Sequence, residues 1–354
     1  MRNKEYSWYM LSNVPHFGPK TIRYIYNNLQ AKNMSINDLF DIEENELYKL
    51  FPKVGRGSFS RASFSRLQEL DVDANLFSKF EELKSNGVTI IGLDDAKYPQ
   101  SVLQNMGDDA PPILYCKGNL SLLNKEGISI VGARDAYDFE IGITKKIAQR
   151  LAEKGINVIS GYAKGIDTSA HLGALEAGGT TIMILSFGIN HITIKRELKA
   201  FDLEKNALFV SQFEPDEKFS GKNAMIRNKL VCAMSKAVVV IKSGPEKDSS
   251  GKMSGTFDAG KSALKMNIPV WVLSPQVFNS PPQGNLDLIR SGGKEFSKDD
   301  DIEKFFEKHP EKKPIPLNTQ INDNQKLKNK NKKKTKNKPY QTQEINFPSQ
   351  EKKV

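Results

Sequence analysis

The sequence predicts an α/β protein in which a doubly wound, mostly parallel sheet follows a small all-helical domain. Three observations carry this reading. Six short apolar runs recur between residues 127 and 273, and they are continuous rather than alternating, as in strands covered on both faces. Helix-length stretches with apolar residues at 3.6-residue spacing separate them. The first seventy or so residues show only the helical spacing.

Residues 1–75 are expected to form the helical domain. Trp8, Leu11 and Val14, then Ile22, Ile25 and Leu29, then Leu39, Leu47 and Leu50 supply its apolar stripes between Gly and Pro turns. Gly18-Pro19 opens a helix in the manner of half a helix-hairpin-helix, with His16 where a second glycine is usual. The amides of such a hairpin can hold a DNA phosphate, and a plain packing turn is the other reading. A helix near 76–85 and a strand at 88–91 follow. Tyr98-Pro99 and the stretch 111–115, begun by two prolines, are expected to break regular structure. Strand and helix then alternate through a domain expected to span 76–300. Strands fall at 127–131, 157–160, 181–185, 207–211, 237–241 and 269–273. Helices fall near 139–154, 168–177, 194–204, 223–234 and 256–265, with a last one opened by Pro282. Ligands of such a sheet bind at the carboxyl ends of its strands.

Residues 301–354 turn to Lys, Asn, Gln and Pro, with too few apolar groups to offset ordering entropy, so a helix remnant and a disordered basic tail are expected. The tail also explains the charge. Twelve lysines against four acidic residues over 311–354 account for most of the formal +10, and the rest of the chain is close to balanced. Anion affinity in the folded part must therefore come from local clustering and backbone dipoles. No apolar run is long enough for a membrane span and no secretory leader is apparent, so a cytoplasmic protein is expected. Cys116 and Cys232 form no CxxC pair and read as core residues. His16, His171, His191 and His309 lack metal-ligand spacing. Neither a metal nor a cofactor is expected.

The loops after the strands carry the chemistry. Val131-Gly132-Ala133-Arg134 ends the first parallel strand, with a glycine for close backbone approach and a fork-shaped donor suited to phosphate. A dinucleotide site would want GxGxxG and a later acidic residue, and both are missing. The second strand feeds a loop with Lys164 and Gly165, where Asp167 is expected to cap the next helix and His171 to be structural. Arg227, Asn228 and Lys229 lie on a later helix. The loop 250–256, rich in glycine and hydroxyls, contains Ser254, Gly255 and Thr256 and reads as a nest for anions. No paired carboxylates or Ser-His arrangement accompany these groups.

In order, Tyr98-Pro99, residues 112–118, Gly132-Ala133-Arg134, residues 160–167 with Ala170-His171, Gly178-Gly179, Arg227-Asn228, Ser250-Gly251 and Gly284-Asn285 resemble the DprA/Smf family of DNA-processing proteins. The resemblance runs over nearly all of residues 1–300. It implies an extended Rossmann domain behind a SAM-like or helix-hairpin-helix domain, non-catalytic, binding and shielding single-stranded DNA, helping to load the RecA recombinase in natural transformation, and acting as a homodimer. It also implies a strand pocket lined by Gly132, Arg134, Lys164, Arg227 and Lys229, with hydroxyls from Ser254 and Thr256. Lys164 and Lys229 stand where the family typically has arginine, which keeps the charge but loses the bidentate fork. The basic tail stands where many members carry a winged-helix domain. Replacing Arg134 or Arg227 by alanine is expected to weaken binding and leave the fold intact.

Two other readings compete. A LOG-like nucleoside monophosphate hydrolase would use PGGxGTxxE, but here the diglycine is missing, Ala259 holds the glutamate position and Asp258 lies one residue early, about 100° around a helix. A nucleotide-sensing module of the same fold would use the same basic loops for a monomer.

Overall fold

The computed structural model describes residues 3–51, 66–67 and 69–297. Its first helices are α1 (Lys4–Ser12), α2 (Pro19–Gln30), α3 (Glu44–Leu50) and α4 (Ala74–Ser85). The Asn3 side chain accepts the Glu5 N–H to cap α1, and Pro19, with no N–H to leave orphaned, opens α2. In the hairpin between them His16 takes φ 68°, the left-handed conformation that costs a glycine nothing.

These helices are seated on the edge of the sheet. Strand β1 (Val88–Gly92) ends at Gly92, where a Cβ would lie 2.0 Å from the Trp8 indole nitrogen, so the absence of a side chain makes the socket for this buried ring. The Trp8 Nε1–H donates to Asp94 at 2.7 Å. The Glu5 carboxylate accepts the Ile90 N–H at 3.1 Å and pairs with Lys84 at 2.6 Å. An α1 side chain thus satisfies a donor that an edge strand would otherwise present to other chains. The apolar core is continuous from Trp8, Ile25 and Leu47 to Leu114, Met183 and Val240.

After β1 come α5 (Gln100–Met106), β2 (Ile113–Gly118), β3 (Gly127–Val131), α6 (Asp138–Glu153), β4 (Asn157–Gly161), α7 (Ile166–Glu176) and β5 (Thr181–Ile184). The chain continues through α8 (Leu203–Asn206), β6 (Ala207–Ser211), α9 (Gly221–Ala233), β7 (Val238–Val240), α10 (Gly255–Lys265), β8 (Val270–Leu273), α11 (Gln283–Arg290) and β9 (Lys294–Phe296). The sheet order is β1-β2-β6-β5-β4-β3-β7-β8-β9, parallel except where β2 meets β1 and β6. Both faces are apolar: Val238 and Val240 join the core shared with the first helices, while Val239 and Ile241 pack with Ile128, Ile147 and Ala170 on the other side. The doubly wound α/β class read from the sequence is the one observed. Strands β3 to β6 wind one way, and the chain then returns to β7 beside β3 and winds the other way. The topological switch therefore lies between the tips of β3 and β7.

Four local expectations are corrected. The stretch at 111–115 does not break regular structure. Both prolines precede β2, and from Ile113 onward every residue has an N–H for the ladder with β1 and β6. The helix expected at 194–204 is instead a single 3₁₀ turn at Arg196–Leu198 followed by the one-turn α8, because the stretch after the 3₁₀ turn Ile189–His191 runs irregularly to the loop after β4, where Lys195 donates to the Ala163 carbonyl. Strand β9 was not anticipated. Asp167 does not cap α7: Gly165, at φ 76°, begins the helix earlier and leaves Asp167 inside its first turn. The tail expected at 301–354 lies outside the described residues.

Candidate functional site

At the tips of β3 and β4 two loops interlock through glycines. A Cβ on Gly132 would fall 2.6 Å from the Ile166 side chain, and one on Gly165 would fall 2.4 Å from the Arg134 carbonyl. The Ile166 N–H donates to the Ala133 carbonyl at 3.3 Å. The room each glycine leaves is thus taken by the neighbouring loop, which fixes the side chains between them. Arg134 is exposed, its guanidinium 5.6 Å from the centre of the Phe219 ring, which is itself 54% exposed. The Lys164 ammonium lies 3.4 Å from Asp135, with both side chains mostly in solvent.

Beneath this rim is a buried floor of charge. Arg227 is 4% exposed, and its guanidinium donates to the Ile184 carbonyl at 2.7 Å and lies 3.9 Å from the Asp167 carboxylate. Gly161 admits it: a Cβ there would be 1.7 Å from Arg227 Nη1. The Asp167 carboxylate also accepts the Ala163 N–H at 3.2 Å. Burial pushes the Asp167 carboxyl above its usual range and the Arg227 guanidinium below its own, and their mutual attraction opposes both shifts. Arg134 lies near enough to weigh further on Arg227. Arg227 was expected at the surface of the pocket, and it lies under it.

Half-buried Lys195 borders the same floor, and no motif marked it in the sequence. Its ammonium donates to the Ala163 carbonyl and Thr168 hydroxyl, each at 2.7 Å, and lies 4.4 Å over the Tyr162 ring. Burial lowers its pKa, with Asp167 pulling the other way. Behind Gly161, fully buried His171 bonds the Gly161 carbonyl through Nε2 at 2.6 Å and Thr181 Oγ1 through Nδ1 at 2.7 Å. A carbonyl can only accept, so Nε2 carries the proton. Burial pushes the His171 pKa down to about 3 and keeps the ring neutral. Its structural role agrees with the sequence reading.

A second group forms where α9 meets α10. The Asn228 amide donates to the Gly255 carbonyl at 2.9 Å. Ser254 caps α10, its hydroxyl accepting the Phe257 N–H at 3.3 Å. Thr256 is half-buried in the first turn, and Lys229 is exposed on α9. Burial raises the Asp258 carboxyl, with Lys229 and Lys265 opposing it. Gly132, Arg134, Lys164, Gly165 and Arg227 therefore converge around the β3 and β4 tips, while Asn228, Lys229, Ser254, Gly255 and Thr256 make a separate patch on the α9–α10 side.

At the β7 tip, Ser243 N–H donates to the Asn285 side chain at 2.8 Å, and Asn285 in turn donates to the Ile241 and Leu273 carbonyls, each at 2.9 Å. Gly284 lets this turn close, since a Cβ there would be 1.9 Å from the Gly244 carbonyl. Lys242 pairs with buried Glu140 at 2.7 Å and lies 4.6 Å from the centre of the Tyr137 ring. Among the described residues no cluster of three or more His, Cys, Asp or Glu could hold a metal ion. Both cysteines are buried, and burial pushes the Cys232 thiol up to about 12. No described helix is long and apolar enough to cross a membrane.

Comparison with known proteins agrees with this architecture. The DNA processing protein DprA of Bacillus subtilis is 28% identical over 234 residues, covering 65% of this chain and 74% of that protein. The X-ray structure of DprA from Streptococcus pneumoniae superposes with a TM-score of 0.70 at 23% identity, over 87% of this chain and all of that one. A Helicobacter pylori DprA structure, described for its single-stranded DNA binding mode, matches with a TM-score of 0.51 at 24% identity, over 61% of this chain and 94% of that one. The family model for DNA recombination-mediator protein A matches residues 89–307, more than half the chain, and the protein belongs to that family.

Proposed function

We propose that this protein binds single-stranded DNA along the carboxyl edge of its sheet and acts by holding the strand rather than by cutting or modifying it. One observation carries the proposal. An exposed arginine, Arg134, stands beside an exposed aromatic, Phe219, at the tip of β3, next to the switch between β3 and β7 and close to buried Arg227 and half-buried Lys195, on the edge where such sheets take ligands. The single-stranded DNA binding mode described for the H. pylori relative supports it. Arg134 and Lys164 contact phosphates, and Lys229 with the Ser254–Thr256 turn extends the track on the α9–α10 side. Arg227 and Lys195 act from beneath, holding the loops and adding positive potential. Gly132 and Gly165 keep the two loops locked, and Asn228 ties the α10 turn to α9.

In the cell the strand is incoming or recombining DNA. The protein shields it in the cytoplasm as a homodimer and hands it to the RecA recombinase, while the basic residues of 311–354 add non-specific attraction. Fluorescence anisotropy with labelled strands tests the core of this. An oligothymidylate should bind tightly and a duplex of equal length weakly, with the log-log salt slope near −0.7 per phosphate contact. Equal affinity for both, or a strand affinity unchanged by Arg134→Ala, would remove the site. Sedimentation tests the dimer, and RecA filament formation on a strand pre-coated by single-strand-binding protein tests loading.

A further inference from the structure

We infer that Tyr137 is a base-stacking platform that prolongs the proposed strand site from Arg134 toward α6, an inference that rests on the single-strand reading. Tyr137 follows Arg134 by three residues, a reach of at most about 10 Å along the chain. The residue is 76% exposed although it occupies the N-cap of a 16-residue helix. Such positions favour small side chains that accept a helix amide, and capping gives no reason for a large ring there.

The ring is exposed and also held. Glu140, 3% exposed, accepts the Tyr137 backbone N–H with its carboxylate, which fixes the backbone from which the ring projects. The same carboxylate holds the Lys242 ammonium at 2.7 Å, and that ammonium lies 4.6 Å from the ring centre. The ring therefore has an anchored cation against it, while the residue as a whole stays 76% exposed. An unanchored surface tyrosine would lose rotamer freedom on binding, whereas this one has given up much of it already. A ring reads the π-face of a base, which all four bases share, so the platform adds affinity without sequence preference. Its occupant is a nucleobase of the strand whose phosphate meets Arg134.

The full chain should be titrated with an oligothymidylate and with the same strand carrying abasic sites, at several salt concentrations. Tyr137→Ala should weaken binding of the normal strand by ~5- to 150-fold and leave the salt slope unchanged, while Arg134→Ala should flatten the slope by about 0.7. Abasic sites should weaken the wild type and cost Tyr137→Ala much less. Tyr137→Trp should keep the affinity and show tryptophan emission quenched by the strand. The platform is overturned if Tyr137→Ala binds as tightly as the wild type, or if it loses equal affinity for normal and abasic strands. A wild type that ignores the strand, or an Arg134→Ala variant as tight as the wild type, overturns the underlying site and the platform with it.

Discussion

Arg134 and Arg227 lie close enough for the charge of one to disfavour that of the other, yet one stands in solvent over Phe219 and the other is sealed beneath Gly161. On the rim, a cation is hydrated, screened by salt and free to exchange its water for a phosphate. In the floor, removing one partner of an ion pair leaves the other charged and buried, so the same residue type becomes structural. Similar spacing after a strand or on a helix thus assigns opposite tasks according to depth.

The largest expected effect breaks the floor. Arg227→Ala strands Asp167 and orphans the Ile184 carbonyl, and should cost about 3–5 kcal/mol of stability, read from the denaturant midpoint. That reverses the expectation that this arginine can be removed with the fold intact. The double change Asp167→Asn with Arg227→Met should recover much of the loss, and full stability of the single variant would refute the distinction between rim and floor.

Next comes the acid limb. The unfolded chain protonates His171 near its ordinary pKa of 6.5, while the native ring resists until about 3, with Lys195 and Arg227 both adding to the resistance. Protons therefore favour the unfolded state throughout that window, and stability should fall by roughly 3 kcal/mol from this group between pH 6.5 and 4. His171→Gln should remove this component, so its melting temperature should decline less steeply over the same range. Parallel declines would refute a neutral buried ring.

On the rim the effects pass from stability to binding. Arg134→Ala should weaken strand binding by ~10-fold or more, as befits a charge-assisted contact, and shift stability by less than about 0.5 kcal/mol. Lys164→Ala should weaken it only a few-fold. Asp135→Asn, which removes the carboxylate nearest to Lys164, should tighten it slightly, and Lys164→Arg should tighten it by restoring a bidentate fork. Affinities from equilibrium titration at one fixed salt concentration order these four variants.

The same contrast explains what could be read from sequence. The parallel strands were plain because strands buried on both faces must be apolar throughout, and Arg134 was plain because it follows a glycine at a strand end. Strand β2 was hidden by the prolines beside it. The depth of Arg227 was hidden because a helix segment reading Arg-Asn-Lys suggests a surface, and only the missing side chain of Gly161, distant in sequence, makes room for it. Lys195 lies in a loop without a motif, and its place depends on the neighbouring β4 loop. Asp167 was misjudged by two residues because glycine let α7 begin early.

The seat of Trp8 on Gly92 bears on how such proteins could be rebuilt. A lock of this kind makes the front helices poor candidates for simple exchange, since an incoming module would need an indole-sized key at the same height, and an alanine at residue 92 would refuse the original one. Recombination that shuffles helices in front of this sheet therefore keeps this seat only where the incoming helix meets Gly92 with a ring at that height.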